Sequence, residues 1–195
     1  MADQKISAMP NAATLTGAEL VPLVQSGANV KATLSTMTAF TRGNAGAYSS
    51  SATQTGSTTV GTAFTFNTTD YAGGVTLASN TRVTVPVAGT YNLQFSAQLA
   101  SSDTAPQDVY IWLRVDGTDV GGSAGRVGMP ARKNPSDPFH AIYGWNYFLT
   151  LTAGQYVEIV WLPTATTVTV PFYAAQTTPA IPSTQSVVVT MTQVA

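Results

Sequence analysis

The sequence predicts an all-β protein: an antiparallel sandwich or jelly roll preceded by a small attachment arm. Three observations predict this class. Seven or eight strand-length segments recur after about Thr58, separated by Gly, Pro, Asn and Asp turn signals. None of them has a helical period. Charged residues make up 9% of the chain, against roughly 25% in average soluble proteins, whereas 44% of the chain is apolar and can form a core.

The arm is predicted over residues 1–42. Segments at Leu20–Gln25 and 29–33 are typical of a short hairpin with a Gly/Asn turn, and Pro22 marks the first strand as an edge strand. Ser35 stands where an N-cap would begin a short helix. A hairpin and a short helix bury too little surface to be stable alone, so this segment must dock onto something larger.

Several apolar side chains in the arm have no core of their own to enter. Apolar surface of that kind marks an interface. We therefore predict that the arm attaches to another protein through Ile6, Met9, Leu15, Leu20, Leu23 and Val24.

The arm is followed by a predicted linker and then by the body. Residues 43–57 are rich in Gly, Ser and Thr and lack an apolar period, which predicts a flexible linker. The body then covers residues 58–195. Residues 91–99 alternate most cleanly, and Asp116-Gly117 predicts a hairpin turn. Strands are predicted at residues 64–66, 82–85, 91–99, 109–115, 142–151, 156–162 and 186–194.

The residue types present leave little chemistry for catalysis. The chain has no cysteine, hence no thiol nucleophile, disulfide or thiolate metal site, and His140 is its single histidine. No Gly-x-Ser-x-Gly turn presents a serine to that histidine. Asp103, Asp108, Asp116 and Asp119 lie on two adjacent loops, and turn or loop roles explain them better than a calcium site does. We expect no catalytic residue, no cofactor and no metal.

Charge and hydropathy argue against two classes of partner. The net charge is −1, and the eight Lys and Arg residues are too scattered to neutralise several phosphates of a nucleic acid. No segment approaches the ~20 apolar residues that span a bilayer. The polar start, MADQK, lacks the apolar region of a signal peptide, which predicts synthesis in a cytoplasm without secretion by the general route.

Three elements of the body resemble the tumour-necrosis-factor-like jelly roll. They are the Pro-x-x-Gly-x-Tyr turn and strand at residues 85–95, the aliphatic strand and polar-Gly hairpin at residues 110–117, and the Leu-x-Leu-x-x-Gly element at residues 149–157. Gln155 replaces the family's Asp, and the family's Phe-x-Gly is missing from residues 186–194, so a different β-sandwich stays open. The resemblance implies a compact homotrimer with aromatic side chains about its threefold axis.

The arm carries a second and more specific resemblance. Residues 5–10 read KISAMP and residues 15–25 read LTGAELVPLVQ. This order is similar to the opening of many tailed-phage virion proteins, in which the segment attaches a fibre or a decoration to the particle. The resemblance implies a virion accessory protein without fixing its site on the virion.

The aromatic residues of the body allow two interpretations. Tyr143, Trp145 and Tyr147 alternate on one face of a predicted strand, as a stacking platform for sugar rings would. Core or trimer-interface positions are favoured, because burying such a side chain contributes on the order of 2–3 kcal/mol. We assign these core or trimer-interface positions to Tyr91, Phe95, Tyr143, Trp145, Tyr147 and Trp161.

Together these features predict a phage capsid decoration (cement) protein. Its arm would bind the major capsid protein or another virion protein, and its bodies would form a homotrimer on the outer surface of the particle. The alternative is a short head- or tail-fibre module that binds a host surface glycan. The chain lacks the coiled-coil, collagen-like or β-helix repeats that lengthen a distal fibre, which favours the decoration protein.

Overall fold

The structure is a computed structural model that describes residues 14–34, 37 and 43–195. The chain divides into two compact units, Met1–Gly43 and Asn44–Ala195. Strands make up most of the second unit, and every strand pairing in either unit is antiparallel. The all-β class predicted from the sequence is therefore confirmed.

The first unit contains the predicted hairpin, formed by β1 (Leu20–Gln25) and β2 (Ala28–Thr33). Its two-residue turn is Ser26-Gly27, with φ of 51° and 78°. Positive φ at both positions is the conformation whose twist matches a two-residue hairpin. Of the short helix predicted to begin at Ser35, the structure describes Met37, which is helical, as is Leu34 just before the predicted start; Ser35 itself lies outside the described residues.

The second unit contains the remaining strands, and its long strands coincide with the segments of clean alternation in the sequence. The strands are β3 (Ala45–Ser50), β4 (Gln54–Thr55), β5 (Thr62–Ala63), β6 (Thr68–Gly73), β7 (Thr76–Ala78), β8 (Arg82–Thr84), β9 (Gly89–Ser101), β10 (Gln107–Val115), β11 (Thr118–Asp119), β12 (Gly125–Met129), β13 (Phe139–Leu151), β14 (Tyr156–Pro163), β15 (Val168–Val170), β16 (Gln176–Thr177), β17 (Ala180–Ile181) and β18 (Val187–Gln193).

Two sheets of this unit form a β-sandwich. In the first sheet the order is β13-β9-β18-β3-β6, with β15 beside the end of β9 and β4 paired to β15. In the second sheet β10 and β14 are central. On one side β10 pairs with β11 and β12, and on the other side β14 pairs with β5 and β8, followed by β7. A separate two-stranded sheet joins β16 and β17.

The core lies between the two sheets and follows directly from strand alternation. On β9 the inward residues Tyr91, Leu93, Phe95, Ala97 and Leu99 are all buried, which confirms the face predicted from the sequence. They meet the inward residues of the second sheet, which include Ile111, Ile159 and Trp161. Burial of each large apolar side chain contributes roughly 1.5–3 kcal/mol, so these strands hold the sandwich together.

The predicted linker over residues 43–57 is wrong, and so is the start of the body at residue 58. Strand β3 lies in the first sheet between β18 and β6, and β4 also falls within this stretch. Tyr48 of β3 is buried, and its hydroxyl donates to the carbonyl of Val75 at 2.7 Å. The Gly, Ser and Thr content of this stretch is typical of a linker. A strand that pairs on both sides, however, is held by hydrogen bonds between backbone groups, which small residues also provide.

One predicted strand is absent at its predicted residues, and one predicted turn is as expected. The strand predicted at residues 64–66 is replaced by β5 just before it, and Phe64 and Phe66 are buried beside the ladder rather than in it. Phe64 stacks on Trp161 with ring centroids 5.6 Å apart. The turn Asp116-Gly117 has φ of 48° and 82°, which is the hairpin geometry that this dipeptide predicts.

Candidate functional site

The hairpin of the first unit presents apolar side chains to solvent. Leu20 and Val24 lie on the same face of β1 and are 55% and 69% exposed, and Leu15 before the strand is also exposed. Leu23 points to the other face of the hairpin and is half-buried. The remaining predicted attachment residues, Ile6 and Met9, lie outside the described residues.

A carboxylate-capped turn leads into this hairpin. Glu19 accepts hydrogen bonds at Oε1 from the amide of Thr16 at 2.7 Å and from its hydroxyl at 2.8 Å, and at Oε2 from the amide of Gly17 at 2.7 Å. These hydrogen bonds, the one from the Thr16 amide first, lower the pKa of Glu19 to about 2. Gly17 has φ of 90°, which favours glycine. The Gly-x-Glu spacing of the arm therefore fixes the direction in which the chain enters β1.

Outside His140 of β13 and Asp70 of the edge strand β6, the strands of the first sheet carry no Asp, Glu, Lys, Arg or His. The part of the outer face that β9, β18, β13 from Ile142 onward, and Ala45 and Ala47 of β3 form is therefore without charged side chains. We call this surface the uncharged face. It follows from the registers Asn146↔Gln94 and Gln94↔Thr190, which extend one row of uncharged side chains across three strands. The positions that form the face are Ala45, Ala47, Asn92, Gln94, Ser96, Gln98, Ile142, Gly144, Asn146, Phe148, Thr150, Val188, Thr190 and Thr192.

Large apolar side chains stand exposed on the uncharged face. Ile142 and Phe148 of the edge strand β13 are 65% and 64% exposed, and Val188 of β18 is also exposed. Between β9 and β18 the face has a depression of about 310 Å³ lined in part by Ser96 and Thr190. No local pattern in the sequence reveals this surface, because its rows are assembled from strands far apart in the chain.

The outer face of the second sheet is different, since ion pairs run across it. They are Arg126–Asp108 at 2.6 Å, Arg114–Asp119 at 2.8 Å and Arg82–Glu158 at 3.5 Å. Hydrogen bonds from Trp112 and then from Arg114 lower the pKa of Asp119, and the hydrogen bond from Arg126 lowers the pKa of Asp108. These carboxylates are therefore held in their ionised form.

The predicted aromatic residues all belong to the core or to its margin. Tyr91, Phe95 and Trp161 are buried, and the other three pack against the core as partly buried side chains. Trp145 meets Phe95 edge-on with ring centroids 4.8 Å apart, and the hydroxyl of Tyr147 donates to the carbonyl of Ser123. Tyr143, Trp145 and Tyr147 lie on the face of β13 that packs against the core. This position favours the core interpretation over a platform for sugar rings.

The residues considered for catalysis or metal binding lie apart and have local partners. The exposed ring of His140 contacts the hydroxyl of Tyr173 through Nδ1 at 2.9 Å. Asp103 accepts a hydrogen bond from the amide of Ala105 at 2.9 Å, and Asp116 accepts one from the amide of Tyr156 at 3.1 Å. Within residues 14–34, 37 and 43–195, no three His, Asp or Glu side chains are grouped as a metal site would need.

No protein-family model matches the sequence, and no curated protein matches it. Among the residues that the structure describes, no helix combines the length and the apolar character needed to cross a membrane. The exposed surfaces of the two units are therefore the features that bear on function.

Proposed function

We propose that this protein is a capsid decoration (cement) protein of a tailed phage, made in the host cytoplasm and carried on the outer surface of the particle. The observation that carries the proposal is the arm. A two-stranded hairpin is at best marginal by itself, yet this one exposes Leu20 and Val24 on one face. Apolar groups held out on a hairpin gain by docking onto another protein, and the major capsid protein is the partner that the arm's resemblance to phage virion proteins favours.

The strand order of the body supports a jelly roll of the tumour-necrosis-factor-like kind. If β3, β8, β9, β10, β12, β13, β14 and β18 are numbered from one to eight, the first sheet has the order 1-8-3-6 and the second 2-7-4-5. The chain thus passes repeatedly from one sheet to the other, as two interlocked Greek keys require. This order was not used in the sequence resemblance and is independent support for it.

The uncharged face supports assembly of the bodies into a homotrimer. The cores of protein interfaces are poor in charged residues and rich in aromatic ones. The uncharged face shares the lack of charged residues, and it exposes two large apolar side chains, Ile142 and Phe148, at its edge strand. In a closed ring of three copies, each subunit would place this face against a different patch of its neighbour. A trimer on three arms also gains from multivalency, since three attachments act together on the capsid.

The arm is tested by particle binding. Replacing both Leu20 and Val24 by Asp puts two carboxylates into the proposed contact, so binding to undecorated particles should fall at least tenfold while the bodies stay trimeric. Deleting residues 1–42 should abolish binding. The matched control is Val60→Asp, because Val60 is 66% exposed but lies in the body. Binding would be measured by co-sedimentation with particles.

Two results would contradict the assignment. One is a truncated protein that still decorates particles, because attachment would then belong to the body. The other is a low copy number on the virion, determined by quantitative gel analysis, which would favour a head- or tail-fibre module over a decoration protein.

A further inference from the structure

A groove on the second sheet is used neither by the arm nor by the uncharged face. It lies at the edge of the sheet where β12 pairs with β10, and it has a volume of about 470 Å³. Gly128 forms part of its floor, Pro106 and Pro130 contribute apolar walls, and Asp108 and Arg126 supply its charged groups. It therefore combines apolar surface with a few polar groups, as small-molecule sites do.

Gly128 is a glycine that the fold itself does not require. It lies inside β12 directly opposite Asp108, and its φ is not positive. A Cβ atom added to it would have no heavy atom within 4 Å, so no neighbour excludes a side chain. Glycine inside a strand costs roughly 0.5–1 kcal/mol relative to alanine. Such a glycine often marks a place where a ligand approaches the backbone closely.

Asp108 and Arg126 are held in place before any ligand arrives. Arg126 Nη2 donates to Asp108 Oδ2 at 2.6 Å, and the guanidinium lies over the ring of Tyr110 at 6.0 Å from its centroid. The amide of Asp108 donates to Thr164 Oγ1 at 2.8 Å, and that hydroxyl donates to Gln107 Oε1 at 2.7 Å. In the part of the chain that the structure describes, Asp108 Oδ1, Arg126 Nε and Arg126 Nη1 have no hydrogen-bond partner.

The pairing of these two groups selects the kind of ligand. A carboxylate beside a guanidinium gives the groove almost no net charge, so neither an anion nor a cation is strongly preferred. The pair still offers one acceptor and two donors side by side, and hydrogen bonds to charged groups are the strong ones. Two neighbouring hydroxyl groups of a sugar ring fit this arrangement, one donating to the carboxylate and one accepting from the guanidinium.

We propose that this groove binds a neutral pyranose unit of a glycan. The hydroxyl groups of the sugar bind Asp108 Oδ1 and the free N–H groups of Arg126, while the C–H face of the ring lies over Gly128 and against Pro130. The inference goes beyond capsid decoration and does not depend on it. On a decorated particle, many copies of the protein would each make a weak contact with the glycan, and these contacts would act together.

Saturation-transfer difference NMR on the full-length protein tests the groove. The probes are the methyl glycosides of glucose, galactose, mannose and N-acetylglucosamine. We expect saturation transfer to at least one of them, with millimolar affinity because the groove is shallow and open. Gly128→Trp fills the groove and should abolish the transfer. Gly121→Trp is the matched control, because a Cβ at Gly121 also meets nothing within 4 Å and Gly121 does not line the groove.

A second variant keeps the test decisive if Gly128→Trp fails to fold. Asp108→Asn retains the shape of the side chain but loses the ionised acceptor and the ion pair, and it should weaken binding at least tenfold. Absence of transfer to all four glycosides would overturn the proposal, and so would transfer that persists in a folded Gly128→Trp protein. Failure here is distinguishable from failure of the decoration function, because Gly128→Trp should bind particles as the unmodified protein does.

Discussion

The two sheets of the sandwich bury similar inner faces and present different outer faces. Across the second sheet, Arg82, Arg114 and Arg126 each pair with a carboxylate. On the uncharged face of the first sheet, the corresponding positions are Asn, Gln, Ser, Thr and apolar residues. A face that stays in water tolerates charge, whereas a face that becomes covered must desolvate every charge it carries. The difference therefore favours the first sheet as the side that would meet another subunit in the proposed trimer.

The largest expected effect is on subunit association. Replacing both Ile142 and Phe148 by Glu places two carboxylates in the proposed contact, where their desolvation is unfavourable, so the trimer should dissociate to monomers. Sedimentation velocity measures the change. Val60→Glu is the control, because Val60 is as exposed as these two residues but lies outside the uncharged face. Trimers that persist in the double variant would show that the uncharged face is not the interface.

An intermediate effect is expected for the ion pairs of the second sheet. Glu158 is nearly buried and pairs with the guanidinium of Arg82. The guanidinium also lies over the ring of Tyr156, 4.4 Å from its centroid, so Arg82→Met removes both interactions. We expect the free energy of unfolding to fall by about 1 kcal/mol, because Arg82 itself is partly exposed. Arg126→Met should cost clearly less than Arg82→Met, since the Arg126–Asp108 pair is open to solvent.

Urea unfolding measures both changes. It is best performed in the Ile142→Glu, Phe148→Glu background, so that subunit association does not contribute to the measured stability. Equal losses for Arg82→Met and Arg126→Met would contradict the claim that burial of Glu158 separates the two pairs.

The smallest expected effect concerns acid sensitivity. Hydrogen bonds from Trp112 and Arg114 lower the pKa of Asp119 in the folded state. The ionised Asp119 therefore stabilises the folded state fully above the ordinary carboxyl pKa of about 4, and this stabilisation is lost as the pH falls through the lowered pKa of Asp119. Asp119→Asn should reduce the drop in thermal midpoint between neutral and strongly acidic pH. Thr190→Val on the uncharged face is the control and should leave the acid-induced drop in thermal midpoint unchanged. If it changed the drop as much as Asp119→Asn does, the proposed difference between the outer faces of the two sheets would be contradicted.

Local signals in the sequence predicted much of the sandwich. The alternation from Tyr91 to Leu99 predicted both β9 and its buried face, and Asp116-Gly117 predicted the hairpin turn. These predictions succeeded because side-chain alternation and positive φ are properties of a few neighbouring residues. The Gly-x-Glu spacing of the arm was recognised as a pattern, but its hydrogen bonds to Glu19 required coordinates.

Features that depend on long-range pairing could not be read from the sequence. Strand β3 has the composition of a linker and becomes a strand because β18, more than 130 residues later, pairs with it. The uncharged face arises from registers such as Ile142↔Gln98 and Val188↔Ser96, and no local pattern specifies them. The groove likewise joins Asp108 to Arg126 across two strands.

The most direct test of the account is electron cryomicroscopy of phage particles that carry the labelled protein. The account predicts threefold clusters of bodies distributed over the capsid at high copy number, each cluster connected to the shell through the arms. Label confined to the tail, or present in only a few copies, would contradict the assignment as a capsid decoration protein.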